Sequence, residues 1–166
     1  MYKTIILILS IFFLQKVLAE DLIGFTKIID GDTININNKK IRLHGIDAPE
    51  LKQKCKKDYL KLSFYIGLNF EKEYFCGRTA KVKLKEKINK AKIKCISSGK
   101  DKYKRFLATC YKGKINLNKW LVKNGYAVAY KKYSKRYVLD EDFAKKNKLG
   151  LWSGTFIHPE KWRKLN

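Results

Sequence analysis

The sequence predicts a mixed α+β fold that is mainly β, and three observations predict it. Short apolar runs alternate with polar residues from Leu22 onward, turn-forming clusters such as "DGD" and "NNKK" separate them, and one helical stretch stands between the first strands and a second alternating pair. With 166 residues and 45% hydrophobic content, the chain has material for one core of ordinary size.

The elements follow in order. From Leu22 to Ile46 the runs "LIGFTKII", "TININ" and "KIRLHGI" read as a three-stranded meander. On the third strand Ile41, Leu43 and Gly45 share one face, so Arg42 and His44 point away from the core. Ala48-Pro49 then stops the strand, because proline lacks a ladder donor and keeps its predecessor extended, and Asp47 and Glu50 fall on a loop. Residues 51–75 mix lysines with aromatics without a clean period, and part of the segment is read as helical.

From Arg78 to Asn89 the apolar Ala80, Leu84 and Ile88 recur at helical spacing among lysines. "AKIKCI" and "YKRFLATCY" alternate as strands around the turn "SSGKDK". Asn118 to Asn124 reads as a short helix ended by Gly125, "YAVAY" as extended, and Leu139 to Lys148 as a last helix capped by Gly150. This order of elements fits a five-stranded Greek-key barrel of the OB type with about three helices, an architecture whose outer face commonly takes nucleic acids.

Residues 1–19, "MYKTIILILSIFFLQKVLA", carry a lysine, an apolar run from Ile5 to Leu14 and a small-residue end, the pattern of a secretory signal cleaved after Ala19. A retained anchor is the competing reading, but the run is short of the ~20 apolar residues a bilayer span needs. Cleavage leaves one domain, residues 20–155, a C-terminal tail, residues 156–166, and no membrane anchor.

The four cysteines, Cys55, Cys76, Cys95 and Cys110, all follow the signal, and an even count in an exported chain reads as two disulfides. Of the three possible pairings we expect the sequence-local one, Cys55 with Cys76 and Cys95 with Cys110, because the second pair flanks an apparent hairpin. A zinc site is the rival; no CxxC spacing is present, and His44 and His158 lie far from the cysteines.

A formal net charge of +23 exceeds what solvation of a surface requires, and signal cleavage removes only Lys3 and Lys16 from it. The expected partner is a polyanion. A basic protein with no specific anion, or one resting on an anionic membrane, is the alternative, although no basic amphipathic helix stands out. Against this charge the acids of "IDGDTININNKKIRLHGIDAPE" are conspicuous. Asp32, Asp47 and Glu50 sit on loops that a barrel can bring together, where grouped carboxylates repel and suit a hard cation such as Ca²⁺. Asp-Gly-Asp-Thr is also simply a good turn. Arg42 and Arg105 tip the balance, since two guanidiniums beside a cation form a slot for a phosphodiester, and a carboxylate left over can take a proton from water.

The segments "IDGDT", "IRLHGIDAPE" and "DKYKRFLATCY" resemble, in order and spacing, the signature segments of the staphylococcal-nuclease-like (thermonuclease) family. The resemblance spans about Leu22 to Trp152, and "NLNKWLVKNGYAVAY" looks like the family's asparagine-containing helix and the tyrosine segment after it. It implies Ca²⁺-dependent cleavage of DNA and RNA to products ending in 3′-phosphate. Carried over by position, it places Ca²⁺ on the Asp32 and Asp47 carboxylates and the Ala48 carbonyl, makes Glu50 the general base, and sets Arg42 and Arg105 on the phosphate. It gives Lys102 and Tyr103 to a terminal phosphate. Tyr130, with Tyr103, Tyr126 and Tyr133, is a candidate for stacking on bases. Lys104 departs from the family pattern, which commonly has glycine there. A monomer acting on nucleic acid is the expectation; a catalytically silent OB-type binding module is the alternative from another class.

Overall fold

The computed structural model describes residues 21–61 and 69–166; the expected signal, residues 1–19, lies outside them. The first run is broken at the exposed Phe25 into β1 (Asp21–Gly24) and β2 (Thr26–Ile28), and β3 (Thr33–Ile36) and β4 (Lys39–Leu43) complete the predicted meander. Ile28 faces Ile34 and Ile34 faces Ile41 across it. After the short β5 (Ile46–Asp47) come β6 (Lys54–Lys61) and β7 (Asn69–Phe75), then helix α1 (Cys76–Ile88), β8 (Ile93–Lys100) and β9 (Phe106–Lys112). The rest is β10 (Ile115–Asn116), α2 (Leu117–Lys123), β11 (Val128–Ala129), α3 (Val138–Lys146), a 3₁₀ turn (Gly150–Ser153), β12 (Gly154–Thr155) and α4 (Pro159–Leu165).

The main sheet runs β1-β8-β9-β4-β3-β2. Its two edge strands are halves of one stretch of chain, so the sheet nearly closes on itself, which leaves few open edges. Parallel pairing of β4 with β9, Ile41 opposite Phe106 and Leu43 opposite Ala108, joins the meander to the later hairpin. The fold is thus the predicted α+β, mainly β barrel of OB type. Ile34, Ile41, Leu43, Ile93, Leu117 and Leu121 fill its interior, and α1 closes one end with Ala80, Leu84 and Ile88, the face the spacing predicts.

Several local expectations need correction. The expected helical part of residues 51–75 falls in part on residues 62–68, outside the described residues, and the described part carries the antiparallel pair β6 and β7. Burial there does alternate, but on Gln53 and Cys55 between exposed lysines, so no apolar period betrays the strand. Strand β8 continues past a bulge between Ser97 and Gly99, which moves the turn to Asp101–Arg105 and leaves Arg105 just before β9 instead of within it. Helix α3 stops at Lys146 with Lys148 in the left-handed region (φ 51°), so Gly150 opens the 3₁₀ turn instead of capping the helix. Four α-helices stand among the described residues, because the expected tail folds into α4.

Both cysteine pairs are bonded as expected, Cys55–Cys76 and Cys95–Cys110, and no cysteine is free for zinc. Cys95 and Cys110 face each other in the β8–β9 register with Cα atoms 4.0 Å apart.

Candidate active site

Three segments converge at one mouth of the barrel. In the β2–β3 turn, Asp30 Oδ1 accepts from the Asp32 amide (2.9 Å), which aims the Asp32 carboxylate across to the loop after β5. There Asp32 Oδ2 accepts from the Ala48 amide at 2.7 Å. From β4, whose outward face carries Arg42 as the period requires, one guanidinium serves both segments: Nη1 pairs with Asp32 Oδ1, and Nη2 donates at 2.9 Å to Oδ1 of Asp47, which closes β5 opposite Val128 instead of lying on the expected loop. Asp32 and Asp47, distant in sequence, are neighbours. Asp47 is 1% exposed and lies behind Arg42.

Glu50 is set by its backing. Its carbonyl accepts from the Gln53 amide (2.8 Å) and its amide donates to Gln53 Oε1 (3.3 Å). At Gly77, the second residue of α1, any side chain would begin 2.1 Å from the Glu50 carbonyl oxygen, so only glycine lets the helix pack against this loop. The Glu50 carboxylate is thereby pushed to the surface of the cavity, where it is part-exposed.

The third segment is the turn before β9. Asp101 Oδ1 accepts from the Tyr103 and Arg105 amides (2.9 and 3.0 Å), and Oδ2 accepts from Arg105 Nε at 2.8 Å. Burial opposes the Asp101 charge, but these bonds and the Arg105 charge outweigh it and hold its carboxyl below the ordinary range. Lys104 sits in the same turn at φ 62°, the left-handed region where glycine is unstrained. The side chain therefore costs about 1–2 kcal/mol of backbone strain.

These groups surround a cavity of about 670 Å³ lined by Asp30, Asp32, Arg42, Glu50 and Arg105, with His44, Lys102, Tyr103, Tyr130 and Tyr133 around it. Of the sequence-predicted residues, Asp47 and Ala48 lie buried behind the wall instead of lining it. Tyr103 is exposed, with Lys102 and Arg105 over its ring (5.0 and 5.4 Å). Tyr130 meets Tyr133 edge to face at 4.7 Å, whereas Tyr126 packs on Trp120 and takes no part in the cavity. Burial lowers the pKa of His44, and Arg136 and Arg42 lower it further, so it is neutral at pH 7.

Two participants were missed from sequence. Asp101 looked like a turn residue, which it also is. Arg163, on α4, donates from Nη1 and Nη2 to the two oxygens of Asp47 (3.0 and 2.9 Å) and from Nη1 to Glu50 Oε1 (3.1 Å). It stands 116 residues from Asp47, and nothing local marks it among 38 basic residues.

Residues 40–154 match the family described as staphylococcal nuclease homologue. The chain belongs to that family. It is similar to the succinoglycan biosynthesis protein ExoI of Rhizobium meliloti, 33% identical over 138 residues, covering 81% of this chain and 66% of that protein. An uncharacterised endonuclease of Haemophilus influenzae is 33% identical over 146 residues, 83% of this chain and 70% of the relative. Another, from Escherichia coli O157:H7, is 33% identical over 172 residues, covering 98% of each chain. By family, then, this staphylococcal nuclease homologue is a nuclease-type hydrolase.

The oxygen donors that could hold a hard cation here are the Asp32 and Asp47 carboxylates and the Ala48 carbonyl. Burial raises the pKa of Asp30, partly offset by Thr33 and Arg42, and lowers that of Arg42, partly offset by Asp47; two guanidiniums, Arg42 and Arg163, face the carboxylates of Asp32, Asp47 and Glu50. Among the described residues no three His, Cys, Asp or Glu side chains stand ready as a metal cluster, so carbonyl and water oxygens would have to complete a coordination shell, as Ca²⁺ accepts.

Proposed function

We propose that this homologue is an exported, monomeric, Ca²⁺-dependent nuclease that hydrolyses phosphodiester bonds of DNA and RNA in single-stranded or breathing stretches. The observation that carries the reading is the meeting of Arg42, Arg105 and Glu50 on one cavity whose buried side holds Asp32 and Asp47. Ca²⁺ would be held by the Asp32 and Asp47 carboxylates and the Ala48 carbonyl, and when bound it supplies a Lewis acid toward a phosphate oxygen.

The chain's own residues supply the rest. Arg42, fixed by two carboxylates, and Arg105, fixed by Asp101, are aimed before substrate arrives, so their donors need no reorganisation as charge gathers on the phosphate. One guanidinium so placed is worth roughly 10³- to 10⁵-fold in phosphoryl transfer, about 4–7 kcal/mol, so two account for much of a modest enzymatic acceleration. Glu50, the carboxylate at the cavity surface, takes a proton from the attacking water. Lys102 and Tyr103 receive a terminal phosphate, and Tyr130 offers an aromatic face to a base.

The net charge, +23 for the whole chain and lowered only by Lys3 and Lys16 on signal cleavage, draws a polyanion to this mouth. Two formed disulfides suit an oxidising compartment outside the cytoplasm, and no helix among the described residues is long and apolar enough to cross a membrane. The test is incubation with single-stranded DNA in Ca²⁺ or chelator, beside Glu50→Gln. Cleavage is expected in wild type with Ca²⁺ alone. Cleavage that ignores chelator or survives the substitution undiminished refutes the assigned roles, and binding without cleavage favours the silent module.

A further inference from the structure

The contact between α4 and the acidic wall engages the two groups that the functional reading uses most. Asp47 Oδ1 receives Arg42 Nη2 and Arg163 Nη1, and Oδ2 receives Arg163 Nη2. Glu50 Oε1 receives Arg163 Nη1 as well. With Arg163 in place, both Asp47 oxygens are covered by guanidinium N–H groups, and the Glu50 carboxylate is neutralised by a fixed cation.

We propose that Arg163 is an intramolecular latch: the C-terminal helix supplies a guanidinium that occupies the cation position on Asp47 while it pins Glu50, and a divalent ion must displace it to bind. This rests on the calcium-nuclease reading. A divalent cation and a guanidinium fork cannot share the same carboxylate edge, because both are positive and the metal needs oxygen contacts at about 2.3–2.6 Å. Departure of Arg163 uncovers Asp47 Oδ2 completely and leaves Oδ1 with Arg42, which is the arrangement a ligand carboxylate needs. It also releases Glu50 to act on water.

The latch is built to open. Helix α4 has only seven residues, and beyond Pro159 its side chains are mostly exposed. Among the described residues, the hydrogen bonds and ion pairs from α4 to the barrel run through Arg163; Lys164 pairs with Glu160 within the helix. The chain before it is held more firmly. Gln53 Nε2 donates to the Ile157 carbonyl at 2.6 Å, and Phe156 packs edge to face on Trp152 at 4.9 Å. His158 belongs to the anchor, its ring 5.8 Å from that of Phe156 and 6.5 Å from that of Trp152, and Pro159 is buried, so the part of α4 that swings out follows Pro159. The same Gln53 that sets the Glu50 backbone anchors the strap, so release of α4 leaves the base in position.

Binding of Ca²⁺ to the full mature chain is measured by titration calorimetry for wild type, Arg163→Gln and Arg163→Lys, with amide hydrogen exchange of residues 160–165 followed with and without the ion. Removing the competitor should tighten Ca²⁺ binding at least tenfold in Arg163→Gln, which corresponds to about 1.4 kcal/mol, with Arg163→Lys between. Exchange in α4 of wild type should accelerate on adding Ca²⁺. In chelator, Arg163→Gln should melt below wild type, and saturating Ca²⁺ should close that gap. Equal or weaker affinity in both variants, or unchanged α4 exchange, overturns the latch alone. Absence of Ca²⁺ binding by every chain, variants included, overturns the calcium reading and the latch with it.

Discussion

Replacing Asn118 by alanine should cost more stability than its size suggests, because its side chain continues a ladder the backbone abandons. Strand β4 ends at Leu43 opposite Ala108, and only the His44 amide reaches one bond further, to the Ala108 carbonyl at 2.9 Å. Asn118, fully buried at the start of α2, takes over: Oδ1 accepts from the Cys110 amide (3.0 Å), and Nδ2 donates to the carbonyls of His44 (3.0 Å) and Ala108 (3.1 Å). In Asn118→Ala the Ala108 carbonyl keeps the His44 amide, while the Cys110 amide and the His44 carbonyl lose what Asn118 provides. At about 1–3 kcal/mol for each buried group left unpaired, the loss is about 2–6 kcal/mol. A domain of this kind has roughly 5–15 kcal/mol in total, and the midpoint of melting should fall on the order of 10 °C. Asn118→Asp should be at least as harmful, since it keeps one acceptor but turns a carboxylate toward two carbonyl oxygens. Urea unfolding followed by tryptophan fluorescence measures both. A loss under 1 kcal/mol in the alanine variant, or an aspartate variant as stable as wild type, refutes the reasoning.

Three further outcomes are expected. Replacing Cys95 and Cys110 together by alanine should cost about 3 kcal/mol in urea unfolding, from the loop entropy restored over a separation of 15 residues; an unchanged midpoint refutes the entropic role. Burial works against the charge of Glu141, yet hydrogen bonds from Lys145 and Lys131 outweigh it and hold its carboxyl below the ordinary 4.5. The stability it contributes is complete above that value and lost as pH falls through the lower folded one, so Glu141→Gln should lose about 1–3 kcal/mol at pH 7, and the gap to wild type should narrow in acid. A gap constant between pH 7 and pH 3 contradicts this. Arg105→Ala should slow turnover of single-stranded DNA roughly 10³-fold or more in single-turnover assays, and Arg105→Lys should recover little, because lysine cannot keep the fork that Asp101 orients; full activity in the lysine variant would remove Arg105 from the transition state.

The sequence alone determined what repeats at short range. Period-two alternation placed Arg42 outside the core, helical spacing placed Ala80, Leu84 and Ile88 inside it, and proline after Ala48 put Glu50 on a loop; each follows from backbone geometry over a few residues. The Cys95–Cys110 pair was legible for the same reason, since neighbours in sequence became neighbours across a hairpin. Where buried positions were polar, as at Gln53, the pattern fell silent and the β6 strand was missed. Only the tertiary structure decided that Arg42 bridges Asp32 to Asp47, that Asp101 locks Arg105, and that Arg163 covers Asp47 and Glu50. A salt bridge depends on where two charged ends meet in space, and among 38 basic side chains sequence distance carries no information about which one will arrive.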